Sequence, residues 1–296
     1  MPAAAHEVSF IVIPDTQGLS NHHPELYGPL AEQVVAAREP WNVQMVLHVG
    51  DVVDRGDDDP EEYDRAAAGL GPIAAAGLPM LISSGNHDYD DQLASSRRLN
   101  LFRSQFAALV ADDAVTFEPG GIENSWATIS TPQGTLGFLS LEFAPRDEVL
   151  AWAADLLSRH PEHQVVVNTH AHLFIDGERT RPGCAHHPHD YVGTQDGNDG
   201  EQVWQKLLRH HGNVLAVFSG HHVWDHVAHR VDRTDVGQPV LQSFQNWQGA
   251  ERNGEGRFRI VTVDLAARRL RSCVILPTTA QVDDREGYDL DIDLSA

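Results

Sequence analysis

The chain reads as an α/β protein whose C-terminal part is rich in strands, and three observations predict this. Short apolar runs with many β-branched residues recur along the chain and stop at Gly or polar residues, as buried strands do. Longer stretches of helical composition separate them. From about residue 226 the helical stretches cease and the pattern is strand-like.

The runs VSFIVIP (8–14), VQMVLHVGD (43–51), PMLISSGN (79–86), TLGFLSLE (135–142), QVVVNTH (164–170) and NVLAVFSG (213–220) read as strands. Helices are expected at Pro29–Arg38, Glu61–Ala76, Ser95–Val110, Arg146–Arg159 and Gly200–His210. PVLQSFQ, GRFRIVTVD and RLRSCVIL are the late strands, and the acidic tail 277–296 has room for one edge strand. DRGDDDPEEYD (54–64) is an acidic loop entering a helix, where Asp and Glu suit the helix start. Residues 172–200 form a loop of roughly thirty residues, a length that in compact domains is often functional. No internal repeat or low-complexity linker interrupts the chain, and its length allows one large or two small domains.

With 21 Lys and Arg against 43 Asp and Glu, the formal charge is −22. Such a surface repels nucleic-acid backbones and anionic lipid, so long nucleic acid and membranes are not expected partners. An anionic substrate would need a local positive feature, such as a bound cation. Cys184 and Cys273, the only cysteines, exclude a disulfide framework and a Cys-rich zinc site. The first apolar run, Val8–Ile13, is too short for a signal or a span. A cytoplasmic location is expected unless an export signal precedes this chain; the oligomeric state is not legible.

The informative fact is positional. Asp15, Asp51, Asn86 with His87 and Asp88, His170, and His221 with His222 each come just after the end of a predicted strand. Ligands of open α/β sheets bind at the carboxyl ends of strands. Each residue alone reads as a cap or turn residue. Their conjunction points to a metal centre of mixed oxygen and nitrogen donors, suited to Mn, Fe or Zn. His48, mid-strand, reads as a core histidine.

PDTQ (Asp15, Gln17), GDVVD (Asp51, Asp54), GNHD (Asn86, His87, Asp88), NTHAH (His170) and SGHH (His221) resemble, in order, the motifs of the calcineurin-like metallophosphoesterases. The opening PDTQ and the segment SFQNWQGAERNGEGRFRIVTVD are similar to a bacterial branch of that family. The resemblance implies a two-sheet β sandwich flanked by helices, in α/β/β/α layers, with residues 1–296 forming one domain. It also implies one or two metal ions, roughly 3.5–4 Å apart when paired, that clamp a phosphoryl group while a metal-held hydroxide attacks in line. Asp51 would bridge the metals. Asn86, His170 and His221 would complete the second site, and Asp15 and Gln17 would serve the first. His87 would assist the leaving group, Asp88 would orient His87, and Asp54 would support a ligand or a turn.

Two family histidines are replaced, by Gln17 and Val223, and both belong to the first site. Three readings stay open: His222 swings in, Asp225 or His226 reaches back, or the first site is weak. The third is preferred. In the long loop, His172, Arg179 and Arg181 are candidate phosphate contacts. His186, His187 and His189 read as a solvated loop cluster in preference to an extra metal site. Tyr89 and Trp247 read either as stacking partners for an organic leaving group or as packing. The expected function is hydrolysis of a phosphomono- or phosphodiester of a small or nucleotide-like substrate. The alternatives are a decayed metal-binding scaffold with one firm site and a hydrolase of non-phosphate esters.

Overall fold

A computed structural model describes residues 2–57, 59–223 and 226–295. The chain begins with β1 (Val8–Ile13), β2 (Val43–His48) and β3 (Met80–Ile82), parallel neighbours in the first sheet. The second sheet takes β4 (Val115–Thr116), β5 (Ser125–Thr131), β6 (Gly134–Ser140), β7 (Gln164–Asn168), β8 (Val214–Ser219), β9 (Val227–Arg233) and β10 (Pro239–Gln245). Within it β6, β7, β8 and β10 run parallel. The chain then returns to the first sheet with β11 (Phe258–Asp264), β12 (Arg269–Leu276), β13 (Gln281–Asp283) and β14 (Leu290–Asp293). The two sheets are ordered β13-β12-β11-β1-β2-β3, with β14 also on β12, and β4-β5-β6-β7-β8-β10-β9.

Strand alternation sorts the core into layers. Phe10 and Val12 of β1 meet Phe138, Val166 and Phe218 of the second sheet in the inner layer. Phe10 stands edge-on to Phe138 and Phe218, with centroids at 5.5 and 5.6 Å. Ile11 and Ile13 face the other way, toward α1 (Gln17–His22), α2 (Tyr27–Ala37), α3 (Glu61–Ala75) and α4 (Asn100–Phe106). On the far side, Val165, Val167 and Val217 pack against α5 (Asp147–Arg159) and α6 (Gly200–Lys206). The result is the expected α/β/β/α sandwich. No helix among the described residues is long and apolar enough to cross a membrane.

The expected strands all form. Four labelled elements were not among those named from the sequence: α1, β4, β5 and β9. The tail forms two strands, β13 and β14, where one was expected. Ser95–Val110 contracts to α4 and a 3-10 turn at Ala107–Leu109.

Because Phe10 joins both sheets through ring edges, Phe10→Ala is expected to cost about 3–5 kcal/mol. Urea unfolding should show a lower midpoint at unchanged slope; a loss below about 1 kcal/mol would contradict a close-packed inner layer.

Candidate metal centre

The parallel strands β1, β2 and β3 end on one edge, and β7 and β8 end opposite them. Glycines let the two edges close. A Cβ on Gly85 would lie 2.1 Å from Asp51 Oδ1, and one on Gly220 would lie 2.1 Å from Asp15 Oδ2. Gly50, at φ +102°, has the backbone of Ser84 and Gly85 against it. Hence Gly precedes Asp51, Asn86 and His221: a side chain at these positions would displace the carboxylates or the turn. The backbone N–H of His221 donates to Asp15 Oδ1 at 3.0 Å, and that of His87 to Asp51 Oδ1 at 2.9 Å.

Asp51, His170 and His221 form one cluster of potential ligands. His170 Nε2 lies 3.2 Å from Asp51 Oδ2 and 3.1 Å from His221 Nδ1. The opposite ring nitrogens face carbonyls: His170 Nδ1 lies 2.9 Å from Val49 O, and His221 Nε2 lies 2.8 Å from His186 O. An N–H donated to each carbonyl leaves the inward nitrogen as the one that could offer a lone pair to a cation, for His170 once its second proton is displaced. Asn86 Oδ1 is buried without a hydrogen-bond partner. The donor set Asp51, Asn86, His170 and His221 therefore fits a divalent cation.

Gln17 Nε2 donates to Asp54 Oδ1 at 3.1 Å, which turns Oε1 the other way; that oxygen too is buried and unpartnered. Asp15, Asp51 and this oxygen are the candidates for a second, all-oxygen donor set. Asp54 also accepts from Asn21 Nδ2 at 2.6 Å, and its carbonyl lies 2.7 Å from His87 Nδ1.

Burial opposes the charge on Asp51, yet His170, His87 and His221 hold it below the usual carboxylate range. Burial likewise opposes charge on His170, but Asp51 and then Asp15 lift it to about 9. Burial and the neighbouring His170 press His221 down to about 3, so it is a neutral imidazole. Asp15 and Asp88 are pushed upward, by burial foremost. His87, partly exposed, is raised: Asp51 and the Asp54 carbonyl outweigh its desolvation.

Several sequence expectations are corrected. Asp88 does not reach the His87 ring; its carboxylate accepts from the N–H groups of Val52, Val53 and Gly85 at 2.9, 3.2 and 2.8 Å. Asp88 thus shapes two motif turns, and Asp54 takes the place behind His87. His172 and Arg179 are buried and share Gln242 Oε1, at 2.9 and 2.8 Å. Arg179 also pairs with Glu201 and Asp232 and covers the Trp204 ring, so its guanidinium is committed to the fold. Arg181 is exposed and lies 3.9 Å from Asp176. The His222 ring packs on Phe174 and Phe244 and also on His221, with centroids at 4.5 Å, and its Nε2 is buried without a partner. His226 Nδ1 lies 2.8 Å from the Tyr288 hydroxyl. Asp225 lies outside the described residues.

The His186–His189 segment is not a solvated cluster. His187 is buried against Asp199 at 3.0 Å and caps a 3-10 turn, and His189 Nε2 lies 2.8 Å from Gly197 O. Tyr89 and Trp247 are buried packing residues. His48 is a core histidine beside the Thr16 hydroxyl at 3.0 Å. A second ligand-like group, His160, Glu162 and His163, lies near the surface. Its imidazoles are stacked with 15° between planes, so their in-plane lone pairs run parallel and do not converge. Sequence reading did not find Phe143, whose ring packs on both His170 and His221, or Tyr191 beside it.

The pattern of the calcineurin-like phosphoesterases matches residues 8–225. An uncharacterised protein of Bacillus subtilis, YvnB, is 24% identical over 98% of this chain; the chain spans only 21% of that protein's length. A dimetal phosphatase from Danio rerio superposes with TM-score 0.60 at 17% identity, over 100% of both chains. A purple acid phosphatase from yellow lupin seeds superposes with TM-score 0.58 at 15% identity, over 99% of this chain and 55% of that one. At these identities the two structures are likenesses of fold.

Gly85→Ala is expected to lose bound metal, because the added methyl meets the Asp51 carboxylate. Gly71→Ala is the control, since a Cβ there meets nothing within 4 Å. Elemental analysis of both variants checks this; equal metal content would refute the close-approach argument.

The metal-free protein should also lose stability as pH rises from 6.5 to about 9. His170, raised above its ordinary value, contributes fully below 6.5, and that contribution disappears as pH passes its folded value of about 9. Metal replaces those protons, so the melting temperatures of metal-free and Mn-loaded protein should diverge over this range. A constant gap would refute the assignment.

Proposed function

This chain belongs to the calcineurin-like phosphoesterases, and from that premise we propose that it is a metal-dependent hydrolase of phosphoric esters of small or nucleotide-like molecules. The carrying observation is the convergence of Asp51, His170 and His221; on the adjoining motif segments two amide oxygens, Asn86 Oδ1 and Gln17 Oε1, are buried without a partner. Three packed ligand-type side chains and two unsatisfied buried oxygens are costly without a cation.

Metals bound there would neutralise charge on the phosphoryl oxygens and acidify a water. The chain's own residues do the rest. Asp51 stands in both donor sets. Asn86, His170 and His221 would hold one metal with nitrogen and oxygen. Asp15 and Gln17 would hold the other with oxygen alone, the donor type that suits harder ions such as Mn. With Val223 in place of a histidine, this all-oxygen set is the weaker of the two. His87 keeps Nδ1 on the Asp54 carbonyl, so Nε2 is its second nitrogen and the position from which a proton passes to the leaving oxygen. Its raised pKa keeps that proton available near neutrality.

The charge of −22 supports a small substrate over a long polyanion. The proposal is tested by assaying Mn-reconstituted protein on matched phosphate and carboxylate esters. Phosphate esters should be hydrolysed and carboxylate esters spared. His87→Asn should lower kcat by about a hundredfold or more at unchanged metal content. Turnover of carboxylate esters alone, or full activity in His87→Asn, would overturn the proposal.

A further inference from the structure

The long loop brings one unassigned side chain to the centre. Tyr191 lies between the turns Pro188–Asp190 and Val192–Thr194 and is partly exposed. Its ring centroid is 5.4 Å from Phe143, edge-on, and 6.2 Å from His221. Phe143 in turn packs on His170 and His221 at 5.6 and 5.3 Å. The tyrosine therefore stands against the nitrogen side of the donor cluster.

Its backbone is well held. The Thr194 N–H donates to the Tyr191 carbonyl at 3.2 Å, and the Thr194 hydroxyl donates to Pro188 O at 2.6 Å. The buried His187–Asp199 contact anchors the same segment, and the His186 carbonyl faces His221. Yet the Tyr191 hydroxyl has no hydrogen-bond partner among the described residues, and burial first, then the Asp51 and Asp190 carboxylates, oppose its ionisation. A neutral O–H is thus held beside the cluster and left uncommitted. Of the two arginines in the loop, Arg179 is committed to Glu201 and Asp232, and Arg181 lies 3.9 Å from Asp176. A neutral donor on this side would add to what the bound metals and His87 offer an anion.

We propose that Tyr191 is a substrate-contacting residue whose hydroxyl donates a hydrogen bond to a non-bridging oxygen of the phosphoryl group at this centre. The assignment rests on the phosphoesterase reading and names a specificity residue within it. It predicts preference for an anion with a free tetrahedral oxygen on the Tyr191 side.

Two variants and two readouts test it. Inorganic phosphate is titrated calorimetrically into Mn-loaded wild type, Tyr191→Phe and Tyr191→Ala, and metal content is measured on the same samples. Tyr191→Phe should keep its metals and bind phosphate about tenfold more weakly, the loss expected of one bond to an anion. In hydrolysis of an aryl phosphate its KM should rise more than its kcat falls. Phosphate affinity unchanged in Tyr191→Phe, with metal lost only in Tyr191→Ala, would show a ring that merely packs and would overturn the proposal while leaving the phosphoesterase reading intact. Weaker phosphate binding by Tyr191→Phe in a protein that turns over no ester would uphold the contact and sink the phosphoesterase reading. Failure of the Mn-loaded wild type to bind phosphate would overturn the proposal outright.

Discussion

The centre depends on two close approaches of backbone to carboxylate: Gly220 to Asp15 and Gly85 to Asp51. The first crosses between sheets, since Gly220 comes after β8 and Asp15 after β1. The second joins neighbouring strand ends within one sheet. At 2.1 Å from a hypothetical Cβ, neither tolerates any residue but glycine without movement of a ligand. The N–H groups beside those glycines, of His221 and His87, then bond the same carboxylates. One constraint thus fixes where the acids lie and which way the adjoining histidines leave the backbone. His221 leaves at φ 76° and Asp51 at φ 50°, both in left-handed geometry that a non-glycine residue adopts only at a cost.

Burying Asp15, Asp51 and Asp88 at the rim of an apolar sandwich is electrostatically unfavourable. The structure answers in two ways. Asp88 is given three backbone N–H donors and acts as a brace for the turns. Asp51 is given imidazoles. Asp15 has the His221 N–H and little else, and the oxygen of Gln17 has nothing. The unmet demand is therefore uneven, greatest at the all-oxygen set, which is also the set that has lost its family histidines.

Much of this was legible in the sequence because strand ends are legible. A buried parallel strand is a short apolar run, and the polar residues at its carboxyl end land on the ligand edge. β5 was not legible: in SWATIST three consecutive residues, Ser125, Trp126 and Ala127, are buried before the exposed and half-exposed end, and only Trp126, Ala127 and Ile129 are apolar. α1 was not legible because six residues are too few to show a helical period. The roles of Val49 and His186 were invisible for a different reason: they act through carbonyls, and any residue supplies a carbonyl. The misplaced residues, His172 and Arg179, were chosen by side-chain type and by their place in the long loop after His170. Which face of the second sheet the loop covers was decided by Gln242, pointing outward from β10 and collecting both. The placement of Asp88 failed because adjacency in sequence suggested a partner for His87, whereas the turn sends the two side chains apart.

The division of labour between sheets stems from the same topology. Every nitrogen ligand of the cluster comes from the ends of β7 and β8, in the second sheet. The acids and the amides come from the ends of β1, β2 and β3 and the start of α1, in the first. The cluster is therefore a seam: a cation shared by Asp51, His170 and His221 would pull the two edges together where the apolar inner layer ends. Asn168 Nδ2 donating to His48 O at 2.8 Å, and Ser83 Oγ to Leu141 O at 2.6 Å, already stitch that seam with neutral bonds. Those bonds join the two edges without drawing on any donor of the centre. Its histidines are held from behind by carbonyls, Asp51 is fixed by glycine, and the one thing left for binding to supply is charge.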